Sequence, residues 1–221
     1  MRFLYYDNMG RLTSESTTSG GTIRYQYNEL NLRKQLTNAR GDNISFLYDP
    51  CGRISSYTTP EGTVSFDYDD NGNITRVRDI HGDINRTFDK LNRVKTYTDT
   101  YGKTISYDYD EVGDLRKITY PDNTEVNYEY DANHNLVKVT DWSNRVTQYT
   151  YDKNNRVERI VKPNGTTVTT TYERNKVKTT EERTATNLII TGFEYTYDNL
   201  SRIDEEKYLQ ILPKYVIIMM T

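Results

Sequence analysis

The chain has 221 residues and a formal net charge of −3, so it lacks the basic balance that marks a nucleic-acid binder, and no nucleic-acid partner is expected. No stretch approaches the ~20 apolar residues that a spanning helix needs, and the single cysteine, Cys51, excludes an internal disulfide. Apolar side chains make up only 34%, but 21 tyrosines stand in for the scarce Leu, Ile and Val, and Tyr, Thr and Val suit a pleated, half-buried surface.

The dipeptide Tyr-Asp organises the chain. It stands at Tyr6-Asp7, Tyr48-Asp49, Tyr68-Asp69, Tyr109-Asp110, Tyr130-Asp131, Tyr151-Asp152 and Tyr197-Asp198, with Tyr27-Asn28, Phe88-Asp89 and Tyr172-Glu173 as near-copies. Successive aromatic members are 21, 21, 20, 20, 21, 21, 21, 21 and 25 residues apart. A fixed short period is the signature of a repeat architecture. One uninterrupted array of about ten repeats is expected over residues 1–207, followed by an irregular tail over 208–221.

Each repeat begins with a turn. After Asp49 come Pro50, Cys51 and Gly52, and the Gly position is filled elsewhere by Gly10, Asn31, Gly72, Asn92, Gly113, His134 and Asn155. These are mostly the residues that best tolerate a left-handed backbone, and His is among those enriched there. A first strand follows, opening on Arg53-Ile54. Arg recurs at Arg11, Arg93, Arg156 and Arg202, and a second apolar or aromatic residue sits three later, at Tyr57, Val77, Tyr97, Ile118, Val139 and Ile160. A spacing of three puts the two residues on opposite faces of a regular strand. Either both faces are partly covered, or a bulge shifts the register.

A second turn follows at Thr59 to Gly62, Tyr120 to Asn123 and Lys162 to Gly165, and is marked by Gly41, Gly82 and Gly102 elsewhere. Pro, an acid or amide, then Gly or Asn is turn chemistry. The second strand alternates cleanly. Its inward sets are Ile23, Tyr25, Tyr27; Ile44, Phe46, Tyr48; Val64, Phe66, Tyr68; Ile105, Tyr107, Tyr109; Val126, Tyr128, Tyr130; Thr147, Tyr149, Tyr151; and Phe193, Tyr195, Tyr197. The residues between are nearly all polar, which is the period of a strand with one wet face. Ile84, Arg86, Phe88 breaks the set with an arginine whose stem can still cover apolar surface. The fold class is therefore all-β: antiparallel hairpin repeats forming one long sheet of about twenty strands, which should twist and curl into a spiral or open-shell strip.

Three places depart from the rule. Asn31-Leu32-Arg33 exchanges the apolar residue and the arginine, which predicts a local register change. Thr184 to Asn187 reads as an insertion before Leu188, and insertions belong on loops. Beyond Arg202-Ile203 the pattern fails; the apolar run Val216 to Met220 is too short to cross a membrane and reads as a truncation remnant or an end cap. The start, Met1 to Gly10, lacks the apolar run of a signal peptide and reads as cut into mid-repeat.

Tyr-Asp-x-x-Gly-Arg-Leu at 6–12, Tyr-Asp-x-x-Gly-Arg-Ile at 48–54 and, without the glycine, Tyr-Asp-x-x-Ser-Arg-Ile at 197–203 resemble the RHS or YD-repeat family. The resemblance spans about residues 3–207. It implies a repeat segment of a large secreted or cell-surface protein: a bacterial toxin, a toxin-complex component, a wall-associated protein or a teneurin. In that family the repeats wind into a hollow shell that can enclose a C-terminal toxin domain. The implied partners are the rest of such a shell and an enclosed toxin domain. No match to the family's self-cleaving core is found, so no catalytic aspartate is carried over. Choline- and glucan-binding repeats have a similar period, but they build their cages from Trp, and Trp142 stands alone here.

Chemistry is weighed residue by residue. His81 and His134 both fall at turns, and Cys51 lies in a turn with no His near it in sequence. The Tyr-Asp carboxylates recur in every copy, as turn formation requires. Asp67, Asp69 and Asp70 make the nearest approach to a calcium loop, without its spacing. No catalytic, cofactor-binding or metal residue is therefore assigned, no cofactor is expected, and the chain reads as a non-enzymatic scaffold. The tyrosine ladder holds 18 of the 26 Tyr and Phe residues, so it reads first as the fold's own core. The alternative is a carbohydrate- or cell-wall-binding adhesion module in which the same aromatic face stacks on surface glycans. Unpaired sheet edges also predict self-association.

Overall fold

A computed structural model describes residues 1–18 and 20–209. It divides into two units, residues 1–107 and 108–221. The tail expected over 208–221 lies outside the described residues from position 210 onward.

Among the described residues there are twenty strands and no helix. The first unit holds β1 (Arg2–Tyr6), β2 (Leu12–Thr17), β3 (Thr22–Tyr27), β4 (Arg33–Thr37), β5 (Asn43–Tyr48), β6 (Ile54–Thr59), β7 (Gly62–Tyr68), β8 (Ile74–Asp79), β9 (Gly82–Phe88), β10 (Val94–Thr98) and most of β11 (Thr104–Tyr109). Each strand pairs antiparallel with the next, from β1 through to β11. The second unit holds β12 (Leu115–Thr119), β13 (Glu125–Tyr130), β14 (Leu136–Thr140), β15 (Val146–Tyr151), β16 (Val157–Val161), β17 (Thr167–Glu173), β18 (Lys176–Arg183), β19 (Ile189–Tyr197) and β20 (Ile203–Tyr208), again an antiparallel meander. The all-β hairpin-repeat fold expected from the period is what the chain adopts.

The alternation of the second strands translates directly into burial. On β3, Ile23, Tyr25 and Tyr27 are half-buried, while Arg24 and Gln26 are exposed. On β13, Val126, Tyr128 and Tyr130 face inward and Asn127 and Glu129 face out. Arg86 lies directly opposite Tyr97 with its guanidinium carbon 5.6 Å from the ring centroid, so its stem does cover apolar surface. The core is thin. Val126, at 6% exposure, is the one buried apolar side chain among the described residues, and none of them is fully buried. Rings instead meet across strands, with Phe46, Tyr57 and Phe66 in a row at centroid distances of 6.5 and 6.0 Å.

The spacing of three on the first strands is a bulge. Tyr48 opposes Ile54, but Leu47 opposes Ser56, which leaves Ser55 as the extra residue. Phe46 then opposes Tyr57. Two residues spaced by two on one strand meet two spaced by three on the other, and all four share a face. The same shift leaves Thr75, Val137 and Glu158 unpaired in their repeats.

Two sequence expectations are corrected. Asn31-Leu32-Arg33 causes no register change: Tyr27 opposes Arg33 and Gln26 opposes Gln35, the same shift found at Tyr48 and Ile54. The arginine occupies the apolar site because its guanidinium carbon lies 4.8 Å from the centroid of the Tyr25 ring, which supplies the contact an aliphatic residue would make. Nor is Thr184 to Asn187 an inserted loop. The Thr184 amide donates to the Leu188 carbonyl and the Asn187 amide to the Thr184 carbonyl, which is the ordinary repeat turn. The added residues lengthen β18 to eight residues and β19 to nine.

Candidate functional site

The residues that recur most strictly gather at one place, the turn that opens each repeat. The Asp49 amide donates to the Arg53 carbonyl at 2.8 Å and the Gly52 amide to the Asp49 carbonyl at 2.9 Å. This is a type I turn closed by a residue at positive φ, the usual three-residue hairpin loop. That residue has φ of 80° at Gly52, 61° at Asn31, 62° at Asn92, 63° at His134 and 69° at Ser201. Positive φ is the reason Gly and Asn alternate there.

The aspartate holds the loop from inside. Oδ1 of Asp49 accepts the Cys51 and Arg53 amides, both at 2.9 Å, and Oδ2 accepts Nε of Arg53 at 2.6 Å. The same set recurs at Asp7 with Arg11, Asp89 with Arg93, Asp152 with Arg156 and Asp198 with Arg202. The Arg11 amide, against a desolvation penalty and helped by the Arg11 guanidinium, holds Asp7 below the usual carboxylate range. The Arg156 side chain does the same first for Asp152. These carboxylates are spent on the loop and its arginine.

The arginine then reaches the next repeat. Its guanidinium carbon lies over the next Tyr-Asp ring, 4.8 Å from the centroid for Arg11 on Tyr27, 4.3 Å for Arg53 on Tyr68 and 4.0 Å for Arg156 on Tyr172. Lys176 takes the same place over Tyr197 at 4.5 Å. The tyrosine hydroxyl completes the link by donating to the backbone carbonyl of the first strand in the preceding repeat. Tyr27 donates to Leu12, Tyr48 to Arg33, Tyr68 to Ile54, Tyr151 to Leu136, Tyr172 to Val157 and Tyr197 to Val177, each at 2.8 Å. Carboxylate, guanidinium, ring and hydroxyl thus form one chain of contacts from Asp7 to Leu12 by way of Tyr27, from Asp49 to Ile54 by way of Tyr68, and from Asp152 to Val157 by way of Tyr172.

Sequence reasoning saw each of these residues recur but did not connect them. A signal was present: each arginine of the opening turns, Arg11, Arg53, Arg93, Arg156 and Arg202, stands four residues after an aspartate, whereas Leu32 follows Asn28, which offers no carboxylate. The same unit also appears once at a second turn, where Asp141 holds Arg145 through its backbone and Nε at 3.0 and 2.7 Å. The Asp-x-x-Asn-Arg string at 141–145 could have revealed it.

The individually weighed residues are placed apart. Cys51 is an exposed free thiol at a turn tip. His81 is an exposed turn residue whose backbone amide donates to Asp79 at 2.7 Å. His134 pairs with Asp114 at 2.7 Å, a partnership the sequence reading did not anticipate. Asp67 faces Arg76 at 3.1 Å, and Asp69 caps its own turn through Asn71 and Asn73. Among the described residues no three His, Cys, Asp or Glu side chains converge as metal ligands. On the aromatic face, Tyr149 lines an open cleft with Arg145, Thr147, Ile160, Lys162, Pro163 and Asn164.

Comparison with known proteins bears on this arrangement. The RHS Repeat family matches residues 109–146 and 130–167, and the Teneurin YD-shell family matches residues 2–78. No curated protein matches the chain. Among solved structures, TcdB2-TccC3 superposes with a TM-score of 0.76 at 14% identity, over 94% of this chain and 12% of that one. TcdB2-TccC3 without its hypervariable C-terminal region gives 0.75 at 15% identity over the same shares, and TcdB2-TccC3-Cdc42 gives 0.75 at 14%, again over 94% and 12%. The present chain thus spans a small part of those proteins, and at such identities the likeness is one of fold.

Proposed function

We propose that this chain, which matches the Teneurin YD-shell family over residues 2–78 and the RHS Repeat family over residues 109–167, is a non-catalytic wall segment in the shell of a larger secreted or cell-surface RHS/YD-repeat protein that encloses a C-terminal toxin domain. One observation carries this reading. Where the repeated motif is complete, its polar groups are consumed in joining one repeat to the next: carboxylate to arginine, arginine to ring, hydroxyl to carbonyl, as from Asp49 through Arg53 and Tyr68 to Ile54. An active site needs groups left over for a substrate, whereas a wall needs every repeat fastened to its neighbours. Fold likeness to TcdB2-TccC3 supports the same reading.

The half-buried ladder supports a second use, stacking on glycans, because its rings are not fully covered and Tyr149 borders an open cleft. Replacing Tyr128 and Tyr149 by Ala separates the two. As wall residues they should each cost about 1–3 kcal/mol in urea unfolding, with no change in retention on cell-wall glycan. Loss of glycan retention by variants of unchanged stability would instead establish the adhesion reading. For the wall itself, the segment should be expressed with its natural flanking sequence and treated with protease. A C-terminal domain that is cut as fast as the free domain would overturn the enclosure.

A further inference from the structure

A second contact joins neighbouring turns, between the residue after one turn and the positive-φ residue of the next. Nη1 of Arg11 donates to Oδ1 of Asn31 at 2.7 Å, Nδ2 of Asn73 to Oδ1 of Asn92 at 2.8 Å, and Nδ2 of Asn135 to Oδ1 of Asn155 at 3.2 Å. In these three clasps the acceptor is a neutral amide and the donor keeps its proton at any physiological pH. At one joint in the second unit the polarity is reversed. Asp114 stands where arginine or asparagine stands in those three clasps, and His134 stands where asparagine does. Nδ1 of His134 lies 2.7 Å from Oδ2 of Asp114.

Both residues are fixed by their own turns. The Asp114 amide donates to Oδ1 of Asp110 at 2.8 Å, and the His134 amide donates to the Asp131 carbonyl at 3.1 Å with φ at 63°. The bond between their side chains therefore ties turn 110–114 to turn 131–135 and cannot be satisfied within either turn. We propose that this joint is a proton-operated clasp, closed when His134 is protonated and loosened when it is neutral, set among clasps that do not titrate near neutrality.

The surroundings favour the charged ring. His134 shares its cleft with Asp110, Asp114, Glu129 and Asp131, against Arg116, with Tyr130 as a neutral neighbour; Glu129 is itself paired with Lys138 at 2.8 Å. The Asp114 carboxylate, by hydrogen bond and by charge, raises the His134 pKa above its ordinary value, and Asp110 and Asp131 add to it. The folded turn thus binds the proton more tightly than an opened one. The clasp is at full strength below about pH 6.5, the free-histidine value, and weakens as pH rises through the raised folded value. The turn aspartates have the opposite sign. Their lowered values mean that their contribution is present above the free-carboxylate range and is lost in acid.

The test is a proton NMR titration of the His134 ring in the full chain, with amide exchange protection of Asn133 to Asn135 followed from pH 5 to 9. The His134 midpoint should lie above about 6.5 and fall toward it in Asp114→Asn. Protection of the turn should drop about two- to five-fold as the ring deprotonates, the size expected of one exposed ion pair. The double variant Asp114→Asn with His134→Asn recreates the amide clasp of Asn73 and Asn92. It should fold, and its protection should not depend on pH. A midpoint unmoved by Asp114→Asn, or the same pH dependence of protection in the double variant, would overturn the proposal.

Discussion

The tyrosine of each Tyr-Asp pair could be a phenylalanine if covering the sheet were its only task. Its hydroxyl is the reason it is not. Bulging the first strand takes one residue out of the pairing, and the tyrosine of the following repeat donates to the carbonyl of the residue just before the bulge, as Tyr68 does to Ile54. The ring meanwhile offers its face to the arginine that the aspartate has oriented, so one side chain serves as surface cover, hydrogen-bond donor and cation partner. Tyr68→Phe should therefore cost about 0.5–1.5 kcal/mol by urea denaturation. Phe88 occupies the equivalent site without a hydroxyl, and Phe88→Tyr should gain stability of the same order. A neutral Tyr68→Phe would show that the hydroxyl bond contributes nothing net.

At the scale of the element, the bulge does more than the turns to make each hairpin what it is. A strand's side chains alternate strictly, so one residue more or fewer sends every later side chain to the other face. Ser55 absorbs the mismatch between Tyr48 and Phe46 on one strand and Ile54 and Tyr57 on the other. Deleting Ser55 should turn Tyr57 and the residues after it toward solvent. Hydrogen exchange should then show protection lost across β5, β6 and β7. If those three strands kept their protection, the bulge would be dispensable. The lengthened pair β18 and β19 shows how the fold accommodates extra residues: it adds paired strand and a further bulge opposite Arg183, and keeps the turn standard.

At the scale of the whole molecule, stability is a sum of many similar joints and not the property of one core. Repeat proteins of this kind hold each unit by its neighbours, and the scarcity of buried side chains among the described residues agrees with that. Such a sheet has a cost at its edge. Among the described residues β1 pairs only with β2, and Arg2 to Tyr6 are exposed throughout, including Phe3, Leu4 and Tyr5. An exposed edge of this kind pairs with other chains. The isolated chain should associate as its concentration rises in sedimentation experiments, and Leu4→Lys should weaken that association. A strictly monomeric species at high concentration would count against a free edge.

Much of this protein could be read from its residues. Strand, turn and inward face follow from a two-residue alternation and from Gly or Asn at fixed intervals, because both are consequences of local backbone geometry. The tertiary structure decided what depends on a partner in the next strand. It chose the bulge over a doubly covered strand, kept Arg33 in register by laying it on Tyr25, and made Thr184 to Asn187 a turn. It also joined Arg53 to Tyr68 and Asp114 to His134, pairs fifteen and twenty residues apart that only the pairing of strands brings together. A repeat in sequence sets what each position must tolerate; which side chain a position touches is settled by the neighbour that the ladder places beside it.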